Sequence, residues 1–468
     1  MKKRHTPGWR SWSAELVVVI CVACSAGVTV RGGSRDIAAG TPAAVDPVSN
    51  WNVVALQAAA TAGQGLIVQS RTLAIVQVAM HDALNAIHPR YEPYVFKRHA
   101  QAGASVDAAV AAAARNALVG AIAVGALPFP QFGSPALQAI AVAQVDAAYV
   151  AALAAIPDGL AKSDGIAIGT AAAAAIVALR STDQATTFVM YTPGTRPGDW
   201  QPTPNPVPFD PPALADHLPA ALPGWGHVTP FVLRHSGQFE PKGPPRLSGR
   251  RYARDYNEIQ VLGEKISAIR SAEQTSIARF WYEGATAGWN RIARNVASAR
   301  RLDAWDEARL LAIMNLAQAD GAIASFATKY TVNFWRPITA IRAGETDGND
   351  HTIGDPAWEN LLNTPMIPDY TSTHSVLGAA AAEVFRRFFH DDDVPFTTTS
   401  GAPFAGITRS FSSFSQAARE NADSRVYAGI HFRSAVDDGF KQGKRIGAFA
   451  FRHALRPLDC DDGDHRDR

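Results

Sequence analysis

The 468-residue chain has little cysteine, little net charge and no long stretch of alternating polar and apolar residues. Two of its three cysteines, Cys21 and Cys24, lie in a leader-like N-terminus, and Cys460 lies in a polar tail. The remainder therefore offers neither an internal disulfide nor a thiolate metal site. The formal net charge of +2 gives no reason to expect nucleic acid or an acidic membrane as a partner. The absence of period-two alternation predicts few and short strands.

What is present is a globular composition, with 47% hydrophobic and 18% charged residues. Because the overall charge is nearly balanced, any anion binding must come from a local cluster of cations. Alanine-rich segments of helical pattern, separated by prolines, favour helices that approach one another closely.

The N-terminus has the pattern of an export signal over residues 1–30. Basic residues precede an apolar run from Ala14 to Val30, and small residues follow Cys24. The pattern predicts a secreted or periplasmic protein; a retained membrane anchor is the alternative. A lipid anchor at Cys24 is disfavoured, because Cys21 stands where a lipobox has leucine. After this run, we expect no segment long and apolar enough to cross a membrane.

The rest of the chain predicts an all-α fold of two packed helical bundles, with few or no strands. The predicted parts are a linker at 31–50, an N-terminal bundle at 51–190, a Pro/Gly-rich segment at 191–247, a C-terminal bundle with an oxyanion site at 248–456 and a polar tail at 457–468. Tryptophans in the Pro/Gly-rich segment favour an ordered loop over a disordered linker.

Helix boundaries follow from capping residues and apolar spacing. Asp303 is a predicted N-cap of a helix that runs to about Lys329, and another helix begins near Ser372. A last long helix is predicted from Val426 to Leu455.

Three short segments of the C-terminal half combine cations, hydroxyls and histidines. They are Lys329-Tyr330-Thr331-Val332-Asn333-Phe334-Trp335-Arg336-Pro337, Pro368-Asp369-Tyr370-Thr371-Ser372-Thr373-His374, and Ser424-Arg425-Val426-Tyr427-Ala428-Gly429-Ile430-His431.

Taken singly, each segment has an ordinary structural explanation. Lys329 and Arg336 would share a face if one helix continued through both, but a lone pair of cations is commonly solvated. Ser372 and Thr373 at a helix start offer amides and a hydroxyl to an anion, or simple capping.

The two histidines are equally open when taken alone. His374 would lie in a first helical turn, where it could act as an acid or a base. His431 is predicted to lie inside the last helix, which Arg425 precedes or opens, with Ser424 as its cap; a histidine there is commonly a core residue.

Together, the segments supply fixed positive charges, a hydroxyl, helix-start amides and two histidines, a set that suits a tetrahedral oxyanion. In order and spacing they resemble the signature of the type 2 phosphatidic acid phosphatase and vanadium haloperoxidase superfamily. The match covers Lys329 to His431, and the upstream stretch from Met80 to Ala86 is similar to soluble bacterial haloperoxidase-like proteins. The resemblance implies a vanadium chloroperoxidase-like fold.

The resemblance also implies roles for single residues. Lys329, Arg336 and Arg425 would neutralise the oxygens of vanadate or phosphate, while Ser372 and the amide of Thr373 would complete the cradle. His431 would bond to vanadium, or attack phosphorus in a phosphatase. His374 would be the general acid or base, and Lys329 would polarise an oxygen of bound hydrogen peroxide.

The sequence departs from the family pattern Pro-Ser-Gly-His at two positions. Thr371 replaces proline, and Thr373 replaces glycine, where a β-branched side chain would crowd the oxyanion and be strained if a positive φ were needed. Phosphatase relatives often carry aspartate four residues after the last histidine, and Ala435 stands there. The missing aspartate weakens a phosphohistidine mechanism more than vanadate ligation.

The preferred prediction is a vanadium-dependent haloperoxidase that uses hydrogen peroxide, a halide and a small organic acceptor, with vanadate as cofactor. The first alternative is an acid phosphatase, without vanadate, on the same site. The second is a non-catalytic helical binding protein that has kept the fold. Paired helical faces are compatible with a homodimer.

Overall fold

The computed structural model describes residues 46–124, 127, 131–203 and 221–458. The predicted export signal, the linker up to residue 45 and the tail with Cys460 lie outside them. The N-terminal helices are α1 (Pro47–Thr61), α2 (Leu66–Ile87), α3 (Val106–Ile122), α4 (Pro135–Ala154) and α5 (Leu160–Arg180). The C-terminal helices are α6 (Arg250–Leu262), α7 (Ala272–Phe280), α8 (Ala285–Ala299), α9 (Ala304–Val332), α10 (Pro337–Ala343), α11 (Thr373–Phe388), α12 (Phe414–Tyr427) and α13 (Arg433–His453).

Within the described residues the only sheet is one antiparallel hairpin, in which β1 (Phe396–Thr399) pairs with β2 (Thr408–Phe411). The all-α prediction is therefore confirmed. The predicted N-cap is also present, since the Asp303 carboxylate accepts hydrogen bonds from the amides of Trp305 and Asp306.

Helix α9 is the central element of the fold. It is buried along nearly its whole length and packs against α2 on one side and α11 on the other. A helix that is apolar all round in this way belongs in the interior of a large core. Because α9 ends at Lys329-Tyr330-Thr331-Val332, it carries the first motif from the core to the site.

Helices α11 and α13 approach each other closely through Gly439, Gly443 and Gly447, spaced one turn apart on α13. A Cβ on Gly439 would lie 2.9 Å from the carbonyl oxygen of Ser372, and one on Gly443 or Gly447 would overlap a carbonyl of α11. These glycines therefore allow the start of α11, which carries the second motif, to rest directly on α13.

A buried carboxylate on α9 anchors the long segment between the two groups of helices. Asp320 accepts hydrogen bonds from the consecutive amides of Phe231 (2.6 Å), Val232 (2.8 Å) and Leu233 (2.8 Å). The nearby Trp225 side chain is also buried. The described parts of this Pro/Gly-rich segment thus attach to the core, as buried backbone donors require.

On α2, Asp82 has the same arrangement: its carboxylate accepts from the amides of Tyr94, Val95 and Phe96. Side chains at adjacent helix positions usually point apart. Here His81 Nδ1 lies 3.1 Å from Asp82 Oδ1, so the two side chains are in contact. Since both are fully buried and Asp82 binds a loop, the pair has a structural role.

Two predictions about helices are wrong. The predicted last helix is two helices, α12 and α13, with a break in which Gly429 adopts φ 78°. Three described helices, α4, α5 and α9, are long and apolar enough to cross a membrane by length and composition, contrary to expectation. The apolar character of α9 reflects its place in the core, because 94% of its most apolar window is buried.

Candidate oxyanion site

The three motifs converge on one partly enclosed cavity with about 80 Å³ of free space. Its polar end is formed by Arg336, Thr373, His374, Arg425 and His431. Its apolar wall includes Leu66, Ile67, Leu222, Phe326, Ile367 and Leu377. A cavity with a small cationic end and a larger apolar wall suits a compact anion beneath an apolar molecule.

Lys329 and Arg336 are not on one continuous helix, contrary to the sequence-based possibility. Helix α9 ends at Val332, Asn333 adopts the left-handed conformation at φ 53°, and Arg336 is the N-cap of α10. The short linker turns the Arg336 side chain into the cavity. Pro337 then starts α10, where its missing N–H has no cost.

Lys329 lies behind the cavity rather than in its lining. Its fully buried ammonium donates hydrogen bonds to the carbonyl oxygens of Pro368 (2.8 Å) and Asp369 (3.0 Å). Burial, followed by the charge of Arg336, lowers the pKa of Lys329 well below its ordinary value. Lys329 therefore holds the turn that precedes the second motif and has one donor left.

Arg336 and Arg425 are buried arginines with spare donors. Arg336 donates from Nε to the carbonyl of Ile367 (2.8 Å) and from Nη1 to that of Ile430 (2.7 Å). Among the described residues, neither Nη2 of Arg336 nor Nη2 of Arg425 has a hydrogen-bond partner. Burial lowers the pKa of each guanidinium to about 10, so both stay charged at neutral pH.

The second motif opens α11, with Ser372 as N-cap. Ser372 is fully buried and is not among the residues that line the cavity. Its amide donates to the carbonyl of Ala435 (3.0 Å), but its Oγ has no partner among the described residues. Because this helix start has no side-chain cap, the amides of its first turn and the helix dipole favour an anion.

Thr373 fits this helix start without backbone strain. It is the first residue of α11 and is not among the residues with positive φ. Its Oγ1 lies 2.6 Å from Oγ of Ser325 on α9, so a hydroxyl pair accommodates the polar part of the side chain. The concern that threonine would be strained here is therefore not supported.

His374 faces the cavity in a defined tautomer. Its Nε2 lies 3.0 Å from the carbonyl oxygen of Glu283, and a carbonyl can only accept, so Nε2 carries the proton. Burial, and then the charge of Arg425, lowers the pKa of His374 to about 3. The imidazole is thus neutral, with a lone pair on Nδ1.

His431 lies in the break between α12 and α13, immediately before the N-cap Phe432, and not inside a helix as predicted. Arg425, likewise, lies near the end of α12 instead of opening the last helix. Burial and the surrounding cations, Arg336 first, lower the pKa of His431 well below its ordinary value. A neutral histidine is the form that can ligate a metal or act as a nucleophile.

Asp369 is the residue at this site to which sequence analysis gave no role. The side chain is fully buried, and Oδ1 lies 2.9 Å from His431 Nδ1 and 3.7 Å from Arg336 Nη1. The first distance is short enough for a polar contact, but Oδ1 of Asp369 has no well-formed hydrogen bond among the described residues. Burial raises the pKa of Asp369 to about 7, against the lowering effect of Arg336. The available signal was an acidic residue at the start of a motif that otherwise offers hydroxyls and a histidine.

The donors without partners decide what the site can hold. Nη2 of Arg336, Nη2 of Arg425 and Oγ of Ser372 are buried, and leaving such donors unpaired costs about 1–3 kcal/mol each. Within the described residues, no group of three or more His, Cys, Asp or Glu side chains could bind a metal cation. The donor set therefore fits a tetrahedral oxyanion such as vanadate or phosphate.

Comparison with known proteins agrees with this chemistry. Residues 309–459 match the family model described as the second helical-bundle domain of VCPO. Vanadium chloroperoxidase of Curvularia inaequalis is 26% identical over an alignment that covers 45% of this chain and 45% of that protein. The aligned region thus spans less than half the length of that relative.

Solved structures of bacterial enzymes match over more of the chain. A vanadium-dependent iodoperoxidase superposes with a TM-score of 0.72 at 25% identity, covering 90% of this chain and 99% of that one. A holo vanadium-dependent chloroperoxidase gives a TM-score of 0.64 at 19% identity, covering 83% of this chain and 91% of that one. Sequence and fold together confirm the resemblance to the vanadium haloperoxidases.

Proposed function

We propose that this chain, a relative of the vanadium-dependent haloperoxidases in sequence and fold, is itself a haloperoxidase that holds vanadate and oxidises a halide with hydrogen peroxide. The observation that carries the proposal is the set of buried donors without partners, on Arg336, Arg425 and Ser372, beside a neutral His431. Such donors are costly in an empty protein core and favourable around an anion.

We assign a role to each residue that would surround the oxyanion. The guanidinium groups of Arg336 and Arg425 would neutralise the oxyanion, and Ser372 Oγ and the Thr373 amide would donate to it. His431 would hold vanadium through Nε2. Lys329 fixes the Pro368–Asp369 turn from behind the cavity, and a bound oxyanion would favour its charged form. Vanadate, when bound, supplies a Lewis acid that binds and activates hydrogen peroxide.

His374 is suited to take the proton that hydrogen peroxide releases. Its Nε2–H is directed at the carbonyl of Glu283, so Nδ1 is the free acceptor. In the absence of a ligand, the pKa of about 3 makes His374 a weak base. An oxyanion in the cavity would raise that pKa, because negative charge stabilises the imidazolium. His374 thus gains basicity when the site is filled.

The apolar wall above the cations indicates how an organic acceptor would reach the oxidised halide. Leu222, Phe326 and Leu377 offer surface to an apolar molecule, whereas peroxide and halide need only the polar end. A small apolar organic acceptor is therefore the partner we propose beside hydrogen peroxide and halide.

A phosphatase on the same site is the second candidate, and one observation favours it. A histidine nucleophile needs an acceptor at its other ring nitrogen. Asp369 provides a carboxylate at Nδ1 of His431, which offsets the alanine found at position 435. His374 would then protonate the leaving group.

The direct test is to assay the purified protein, with and without added vanadate, for peroxide-dependent bromination and for hydrolysis of a phosphate monoester. Bromination that requires vanadate and is lost in H431A supports the proposal. Hydrolysis that vanadate inhibits supports the phosphatase instead. Neither activity in a folded protein leaves the non-catalytic binding protein.

We also propose export of the chain, on the basis of the leader-like residues 1–30 alone. Expression of the full chain followed by cell fractionation would test it: a shortened product in the periplasm or medium is expected, and an uncleaved cytoplasmic product would contradict it.

A further inference from the structure

Asp369 is a buried carboxylate whose hydrogen-bonding capacity is largely unused, although Arg336 lies 3.7 Å away. The two other fully buried carboxylates described above, Asp82 and Asp320, each accept hydrogen bonds from three consecutive amides. The backbone of Phe432 lies near enough to favour the charged form of Asp369, but neither carboxylate oxygen accepts a well-aligned hydrogen bond among the described residues. Burying a carboxylate in this state is costly unless another group uses it.

The group that can use it is the imidazole of His431. Nδ1 lies 2.9 Å from Oδ1 of Asp369, whereas Nε2 lies 3.0 Å from Nη1 of Arg336. Nη1 of Arg336 also lies 3.3 Å from Nδ1, so the guanidinium does not select a tautomer by itself, but of the two ring nitrogens it is Nδ1 that has a carboxylate within reach. A neutral histidine has one ring proton, and the nearby acceptor Oδ1 of Asp369 favours its position on Nδ1.

The backbone of Asp369 is fixed on both sides. Its amide donates to the carbonyl of Phe334 (2.8 Å), and its carbonyl accepts from Lys329 (3.0 Å). The carboxylate thus comes from the turn before the second motif, while Ala435, four residues after His431, has only a methyl side chain.

We propose that Asp369 is a positioning residue for His431: its carboxylate holds the proton on Nδ1 and directs the lone pair of Nε2 into the cavity. Outer partners of this kind fix the tautomer and orientation of a metal-binding histidine and increase its basicity. The proposal deepens the proposed function and, for its effect on vanadate, rests on it.

Comparing the affinities for two anions distinguishes a positioning role of Asp369 from a simple effect of its charge. Under the proposed function, phosphate would be held by the cations and hydroxyls alone, whereas vanadate would also bond to His431. Removing Asp369 removes a negative charge from the cradle, so D369A is expected to bind phosphate as well as, or more tightly than, the wild type. Vanadate affinity is expected to fall about 10–100-fold, the range for loss of such a partner.

The experiment measures dissociation constants for phosphate and for vanadate by calorimetry on the full chain in the wild type, D369A, D369N and D255N. D255N is the matched control, because Asp255 is a buried carboxylate that contacts the amide of Ser434 and not the His431 ring. It is expected to leave both constants within about threefold, or about 0.7 kcal/mol. Parallel loss of both anions in D369A, or unchanged vanadate affinity, would overturn the proposal.

A second measurement does not depend on vanadate. The ¹⁵N shifts of the His431 ring, recorded without any anion and assigned with H431Q, should show protonated Nδ1 in the wild type. D369A should shift towards a mixture of tautomers; D369N, which keeps an acceptor oxygen, is the variant to use if D369A does not fold. If the wild type binds no vanadate but the tautomer depends on Asp369, the haloperoxidase proposal fails and the positioning role stands. An Nε2–H tautomer in the wild type would contradict the role itself.

Discussion

Asp320 and Asp369 are both fully buried carboxylates of the C-terminal helical region, yet their surroundings differ in kind. Asp320 is surrounded by three backbone amides that order a loop. Asp369 lies among Arg336, His431 and the Lys329-bound turn, in a region where several donors have no partner. A carboxylate whose hydrogen bonds are all made has a structural explanation, whereas buried donors without partners call for another one, such as a bound ion.

The largest expected effect is on stability and comes from removing the Asp320 carboxylate, whose hydrogen bonds are all made. D320A removes the acceptor of three buried amides, so we expect the free energy of unfolding to fall by about 4 kcal/mol. Urea denaturation measures it. D303A on the same helix is the control and should cost about 1 kcal/mol as an ordinary N-cap. Equal losses in the two variants would mean that Asp320 is not a special anchor.

The next largest effect is on anion affinity and concerns the buried donors that have no partner. R425A removes a buried donor of the cradle, and we expect vanadate and phosphate to bind about 100-fold more weakly, or about 2.8 kcal/mol. Equilibrium titration measures both affinities. R419A is the control, because Arg419 makes partly exposed ion pairs with Asp423 and Asp437 that contribute little. If R425A bound both anions normally, the unpartnered donors would not define the site.

The smallest expected effect concerns Thr373, which stands where the family pattern has glycine, and its influence on vanadate affinity. Since Thr373 has a helical backbone and pairs with Ser325, T373G is expected to change vanadate affinity by no more than about threefold, or about 0.7 kcal/mol. T373S keeps the hydroxyl and should match the wild type in the same titration. Vanadate binding that is tenfold tighter in T373G alone would show that threonine crowds the cradle.

The sequence predicted local features, such as helix caps, better than the contacts between segments that are distant in the chain. Capping by Asp303 and the helix start at Ser372 follow from side chains that bond to nearby amides, so neighbouring residues suffice to predict them. The order and spacing of the cationic motifs predicted the superfamily. The break after α12 was missed, although Gly429 offered the signal that a left-handed residue ends a helix there.

The contact between Asp369 and His431 could not be predicted, because it joins separate segments across the fold. The same holds for the distance of Lys329 from the cavity, which depends on where α9 ends relative to the Pro368–Asp369 turn. The spacing within a motif indicates which residues could face a ligand. Only packing decides which of them line the cavity and which lie behind it.

The measurement closest to the central claim is a crystal structure of the full chain grown with vanadate. The account predicts one vanadate in the cavity, in contact with Nη2 of Arg336, Nη2 of Arg425 and Oγ of Ser372, and bonded to Nε2 of His431. A vanadate bound elsewhere, or a cavity that contains only water at saturating vanadate, would contradict it.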